Sequence, residues 1–264
     1  MRSFFLSNGF EDIFDQFDFV NPKFQTSWGV SDDDLFDEAH KKFIEKSRDK
    51  PFFSLVFTTS NHPPYDYPIG KIKPYKGKIQ SPPSAVKYAD YALGEFFKKA
   101  KKSPYWDDTI FLVVADHASN YKIHPEEKQQ LMPIKRFQIP AMILGGGIKA
   151  KKINRIVSQI DLMPTMLSLI GVSTITPMVG LDLTREDLEQ IPQHVIMQYA
   201  DIQAYREDNQ FVLFQPNMKP KQLRLKNEQL IKVNEVDKDL IGRAISLSNL
   251  PTYLYENTLY NTVK

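Results

Sequence analysis

The sequence predicts an α/β fold: a largely parallel sheet flanked by helices, then a small antiparallel β subdomain closed by a helix. Three observations predict it. Short runs that are apolar on both faces recur at 52–59, 109–115 and 140–144, the pattern of strands covered on both sides. Segments with helical spacing of apolar residues separate them. After about residue 200 the apolar runs shorten and alternate with polar turns, as in an antiparallel meander.

Taken in order, residues 1–30 are rich in Phe and Asp and lack periodicity, so they read as loop and short elements ending near Trp28-Gly29. Ser31 followed by three aspartates marks a helix start, and Pro51 stops that helix. Phe52–Thr59 reads as a first buried strand. The stretch 63–83 holds six prolines, which makes it a structured loop of the kind that carries function above a sheet. Ser81-Pro82-Pro83 opens a second helix, with Val86, Ala89, Leu93, Phe96, Phe97 and Ala100 as its apolar stripe. Thr109–Ala115 and Pro140–Leu144 are further strands, the latter closed by Gly145-Gly146-Gly147. Ser158–Ile170 is a helix despite Pro164. Phe211–Phe214, Leu223–Leu225 and Leu230–Val233 are short strands, and Val236–Leu247 is a last helix. Two domains are expected, 1–200 and 201–264.

Composition removes several functions. Lys and Arg number 34 against 32 Asp and Glu, a net charge of +2, whereas a nucleic-acid partner needs a clustered basic excess. Lys98, Lys99, Lys101 and Lys102 close a helix, where cations favour the dipole. With no cysteine, disulfides, thiolate catalysis and Cys-ligated zinc are excluded. No run approaches the ~20 apolar residues of a membrane helix. Glu11 and Asp12 fall where a signal peptide needs its apolar stretch, so any export signal or anchor is expected outside this chain.

Two strand ends carry chemistry. In Val113-Val114-Ala115-Asp116-His117 an apolar strand stops at a carboxylate and an imidazole, and in open α/β sheets ligands sit at such ends. Asp116 and His117 reach one ion only if the chain turns between them, and that donor pair suits zinc, manganese or a similar divalent ion. The bland alternative is an Asp capping a turn beside a half-buried His. In Thr58-Thr59-Ser60-Asn61-His62-Pro63-Pro64 a second strand ends at a histidine in a proline-stiffened loop, suited to contact a phosphate. Alone, His62 would read as a surface residue; two strands ending at histidines across one crossover helix strengthen both. Trp28, His40, His124 and His194 read as structural or solvated. Asp161 reads as a helix N-terminal charge. The triple glycine lacks the lysine of a P-loop and reads as a turn.

The pieces TTSNHPPYDYP (58–68), VKYADYALGEFFKKA (86–100), WDDTIFLVVADHAS (106–119), IPAMILGGG (139–147) and VSQIDLMPTMLSLIGV (157–172), in that order, resemble lipoteichoic acid synthases and related phosphoglycerol or phosphoethanolamine transferases of the sulfatase/alkaline phosphatase superfamily. The resemblance covers roughly residues 1–185. It implies an alkaline phosphatase-like fold and a metal-dependent phosphotransfer. In that chemistry a threonine attacks the phosphodiester of a lipid headgroup, a phospho-threonine forms, and a second acceptor takes the group. It implies Asp116 and His117 as ligands of a divalent metal (manganese, magnesium or zinc), and His62 and Arg2 as substrate-side residues. The family's nucleophilic threonine and a glutamate ligand have no counterpart here, so no catalytic nucleophile is assigned and the chain alone is expected to be inactive. The implied setting is the outer face of a bacterial cytoplasmic membrane or the periplasm, with membrane attachment through upstream segments and a phospholipid headgroup or phosphodiester as substrate. An oligomer is also expected, because a sheet short of neighbours exposes apolar surface. The alternative is a non-catalytic remnant serving as a binding or structural module.

Overall fold

The computed structural model describes residues 2–48, 50–118 and 134–260. The chain divides into two compact units, Met1–Thr109 with Gly145–Gly147, and Ile110–Leu144 with Ile148–Lys264.

In the first unit a short helix α1 (Arg2–Ser7) precedes a two-residue hairpin, β1 (Gln25–Thr26) and β2 (Gly29–Val30), paired antiparallel. Two long helices follow, α2 (Asp32–Lys46) and α3 (Pro82–Ala100). They pack through aromatic rings: Phe36 stacks on Phe96 at 5.2 Å, and Phe43 meets Phe96 edge-on at 6.2 Å. The buried stripe of α3 is Ala85, Tyr88, Ala92, Phe96 and Ala100. It is rotated from the expected one, and Val86 is exposed. Tyr88 explains the rotation. Its hydroxyl bonds the Asp33 carboxylate, so a residue that reads as amphipathic is wholly buried, and burial with this bond pushes its pKa up.

The acidic start of α2 is a set of tie points rather than a solvated cap. Ser31, Asp32, Asp33 and Asp34 are all buried. The Ser31 hydroxyl donates to Asp33 Oδ1 at 2.9 Å and Asp34 Oδ2 at 3.0 Å. Lys71 pairs with Asp33 at 2.8 Å, and Phe24 N–H donates to Asp34 at 3.0 Å. Burial of this many carboxylates is tolerated because each finds donors.

Residues Phe52–Thr59 form no strand, and Phe53, Leu55 and Phe57 are exposed. A strand exists only through its ladder, and among the described residues this run has no partner strand. The largely parallel sheet expected from the sequence is accordingly not seen among the described residues.

In the second unit β3 (Ile110–Val114) and β4 (Ala141–Gly145) make a two-stranded sheet. The Ala115 N–H, just past β3, donates to the carbonyl of Pro140, just before β4, at 3.4 Å. The end of β3 therefore lies against the start of β4, the antiparallel sense. A 3-10 turn, Gln159–Asp161, leads into α4 (Leu162–Leu169). Pro164 falls in the first turn of α4, where no N–H partner is lost.

The C-terminal meander is β5 (His194–Tyr199), β6 (Ile202–Glu207), β7 (Gln210–Phe214), β8 (Lys221–Lys226) and β9 (Gln229–Lys232), antiparallel in sequence order. Asn227 and Glu228 both take positive φ, +48° and +63°, the turn that matches strand twist in a two-residue hairpin. Period-two alternation splits the core. Phe211 and Leu213 pack with Ile134, Met197, Ala204 and Leu223 on one face, and Val212 packs with Tyr205, Leu240 and Ala244 on the other. The second cluster is covered by α5 (Lys238–Glu256), which runs through Pro251 past the expected end. Asp237 caps that helix, its carboxylate accepting the N–H groups of Asp239 and Leu240.

Candidate metal centre and substrate loop

β3 delivers Asp116 and His117 into a bend directly after the strand. The Asp116 Oδ1 accepts the His117 N–H at 2.9 Å. This bond turns the chain so that the two side chains converge, with Asp116 Oδ2 3.6 Å from His117 Nε2. Two ligands about 2 Å from one tetrahedral ion stand roughly 3.3 Å apart, so the observed spacing fits a shared cation with little adjustment. The other ring nitrogen, Nδ1, lies 3.0 Å from the Ala118 carbonyl. A carbonyl only accepts, so Nδ1 donates to it, which leaves Nε2 as the ring nitrogen that faces Asp116 and the place of an ion. Both side chains are well exposed, 61% and 68%, leaving room for further ligands. Among the described residues no group of three or more His, Cys, Asp or Glu converges, and those residues offer Asp116 and His117 as protein ligands at this point.

The bend is held from behind by Gln159. Its side-chain amide donates to the carbonyls of Ala115 and Asp116, both at 3.0 Å. Gln159 in turn stands on the capped turn before α4. Ser158 and Asp161 form a reciprocal capping box, and the second Asp161 oxygen accepts the Leu181 N–H at 2.8 Å. Asp161 is thus a buried tie rather than a helix-dipole charge. Gly180 packs so tightly on this turn that a Cβ there would stand 1.9 Å from the Ile160 carbonyl.

His62 sits in the first unit, between two turns: its N–H donates to the Thr59 carbonyl at 3.1 Å, and its carbonyl accepts Tyr65 N–H at 2.7 Å. Two clamps hold this loop. On one side Asp32 Oδ1 accepts the N–H groups of Thr59 and Ser60, each at 3.1 Å. On the other, the His62 ring stacks on Trp28 with centroids 3.7 Å apart and planes 29° apart. The indole N–H donates to the Pro63 carbonyl at 2.7 Å. Asp32 is fully buried, and desolvation pushes its pKa up against these bonds.

The remaining sequence candidates are placed as follows. Arg2 pairs with Asp15 at 2.7 Å and lies 3.9 Å from Asp18, so its guanidinium is engaged within the N-terminal segment. His40 is half-buried rather than solvated: its Nδ1 lies 2.6 Å from the Tyr105 hydroxyl, and burial lowers its pKa. His194 stacks on Tyr205 at 6.1 Å. Gly145, Gly146 and Gly147 all take positive φ, as a strand-to-loop turn requires. His124 lies outside the described residues. Sequence reasoning missed Gln159 and Asp32 because each acts on backbone far away in the chain, and spacing carries no signal for that. Trp28 was set aside as structural.

The sulfatase family model matches residues 1–172. The chain is 29% identical over 184 residues to the lipoteichoic acid synthase-like protein YvgJ of Bacillus subtilis (strain 168), covering 63% of this chain and 30% of that one. It is 33% identical over 123 residues to phosphoglycerol transferase I of Salmonella choleraesuis (strain SC-B67), covering 43% of this chain and 16% of the relative. The chain thus spans less than a third of the length of these relatives. Among solved structures, a Vibrio parahaemolyticus protein of the alkaline phosphatase superfamily superimposes with a TM-score of 0.89 at 44% identity, covering 100% of this chain and 64% of that one. The lipoteichoic acid synthase LtaP of Listeria monocytogenes shares the fold, with a TM-score of 0.76 at 23% identity over 97% of this chain and 66% of that one. The match of the family model across 1–172, well over half of the chain, shows the family, and the solved structures show the fold: the chain belongs to the sulfatase family, with an alkaline phosphatase-superfamily fold.

Proposed function

We propose that this chain is part of a metal-dependent enzyme that transfers or hydrolyses phosphodiester headgroups, of the phosphoglycerol or phosphoethanolamine transferase kind. The observation that carries this reading is the convergence of Asp116 Oδ2 and His117 Nε2 at 3.6 Å, with Nδ1 protonated against Ala118. A divalent cation held there would neutralise charge on phosphoryl oxygens and lower the pKa of an attacking hydroxyl. Asp116 and His117 bind and orient it, and Gln159 fixes the bend that aims them. His62, on its clamped loop, donates to a phosphodiester oxygen. Arg2 contributes only if it leaves Asp15. The nucleophilic threonine and a glutamate ligand are supplied by residues outside this sequence, a reading supported by the share of the relatives that the chain spans. Residues 1–200 then carry the catalytic part and 201–264 an added subdomain, whose five-stranded sheet takes its first strand, β5, from the end of the catalytic part. The substrate places the work at the outer face of a bacterial cytoplasmic membrane or in the periplasm. Among the described residues no helix is long and apolar enough to cross a membrane.

The competing reading, a non-catalytic binding module, is favoured by the finding that, among the described residues, no third His, Asp or Glu joins Asp116 and His117. A paired experiment separates them. With Mn2+ and glycerol phosphate, adding the chain should quicken 31P relaxation beyond that of Mn2+ and glycerol phosphate alone, and Asp116→Ala should remove that excess. A chromogenic phosphodiester with Mn2+ should show no turnover by this chain. Absence of any protein-dependent excess in 31P relaxation supports the module instead, and Asp116-dependent turnover would show that nothing essential is missing.

A further inference from the structure

We propose that Trp28 is a positioning residue for His62, fixing both its ring plane and its backbone so that the imidazole meets a phosphodiester oxygen in one orientation. The inference rests on the reading of His62 as a substrate-side group. Trp28 acts on His62 twice. The indole lies against the imidazole at 3.7 Å, and the indole N–H, its only polar donor, is spent on the carbonyl of Pro63, the next residue. A ring on a loop otherwise samples its rotamers; a stack removes that freedom, and the bond to Pro63 ties the loop to the same group.

Trp28 is itself fixed. Its N–H donates to Thr26 Oγ1 at 3.0 Å, and that hydroxyl donates to the Gly29 carbonyl at 3.2 Å. Gly29 takes φ +135° and a Cβ there would be in ordinary van der Waals contact with Thr59 Cγ2 at 3.8 Å, and the Thr59 hydroxyl donates to the Val30 carbonyl at 3.1 Å. The hairpin that carries the indole therefore abuts the loop that carries the imidazole. A tryptophan serving the core would be buried, yet Trp28 stays 51% exposed and its described contacts go to the His62 loop and its own hairpin. Half-exposed aromatic surface beside an oriented imidazole is what a headgroup-binding ledge requires.

The test is NMR of the histidine rings in the full chain, with glycerol phosphate as the probe. The His62 Cε1–H signal, identified by its loss in His62→Gln, should lie upfield through the indole ring current and should move as glycerol phosphate is added. Trp28→Ala should remove the upfield shift and weaken the apparent affinity about tenfold, the scale expected when a reacting group loses its orientation. Trp28→Phe keeps a stacking face and should recover most of both. An unchanged His40 signal reports that the fold is intact. A His62 signal without an upfield shift, or Trp28→Ala binding as well as the parent, overturns the positioning role while leaving His62 as a ligand. An upfield His62 signal that ignores glycerol phosphate in the parent overturns the substrate role of His62, and the inference with it.

Discussion

Asp32 is fully buried, with one carboxylate oxygen accepting the backbone N–H groups of Thr59 and Ser60. Burial raises its pKa above the ordinary value. A carboxyl whose folded pKa is raised favours the fold below its unfolded value of 3.8 and loses that contribution as pH rises through the folded value. Ionised Asp32 is thus a cost near neutral pH, accepted because it holds the His62 loop. Asp32→Asn keeps an acceptor for Thr59 and Ser60 without the charge, and should be at least as stable as the parent at pH 7, with the advantage fading near pH 3. Asp32→Ala strands two buried N–H groups and should cost about 3 kcal/mol. Urea unfolding at the two pH values checks both. At this scale the sequence was informative where neighbours act on each other, as in Asp116 and His117. It was silent where a side chain ties down distant backbone, as Asp32 does at Thr59 and Gln159 at Ala115.

The helices were legible because their apolar spacing and caps are local signals: α2 starts at the expected acidic triplet and α3 at the expected proline pair. Their buried faces were less so, since Tyr88 is buried with its hydroxyl taken by Asp33, 55 residues away, and its ring stacked on Tyr67. The turn before α4 is the element on which the candidate metal centre stands. Gly180→Ala would drive a methyl group into the Ile160 carbonyl and should cost about 3 kcal/mol, read as a drop in melting temperature together with weaker Mn2+ binding. Ser158→Ala, which removes half of the capping box, should cost about 1 kcal/mol with a smaller effect on Mn2+. Between α2 and its surroundings, His40 makes stability depend on pH. Its pKa is lowered from 6.5 by burial, then by Lys99, so the unfolded chain binds the proton more readily. Its contribution is complete above pH 6.5 and falls as pH drops towards the folded value. His40→Gln should flatten that acid-side loss when unfolding midpoints at pH 7.5 and 5.5 are compared.

For the whole molecule, the antiparallel C-terminal sheet was readable from its alternation and turns, although β5 and β6 were not, because their mixed polar sequences lack a clean period-two pattern. The parallel sheet was inferred from apolar runs, and a run such as Phe52–Thr59 states only that it wants covering, not what covers it. In the structure Phe53, Leu55 and Phe57 are 67%, 51% and 56% exposed, apolar surface of the kind that drives association. The isolated chain should bind a hydrophobic dye and form concentration-dependent oligomers in size-exclusion chromatography with light scattering, and replacing Phe53 and Phe57 by Ser should reduce both. The central claim, that Asp116 and His117 hold a divalent cation, is tested most directly by following free Mn2+ by electron paramagnetic resonance as the chain is added. The account predicts one Mn2+ bound per chain, lost in Asp116→Ala and in His117→Ala and weakened in Gln159→Ala. Mn2+ binding that is absent in the parent, or that survives both ligand substitutions unchanged, would contradict it.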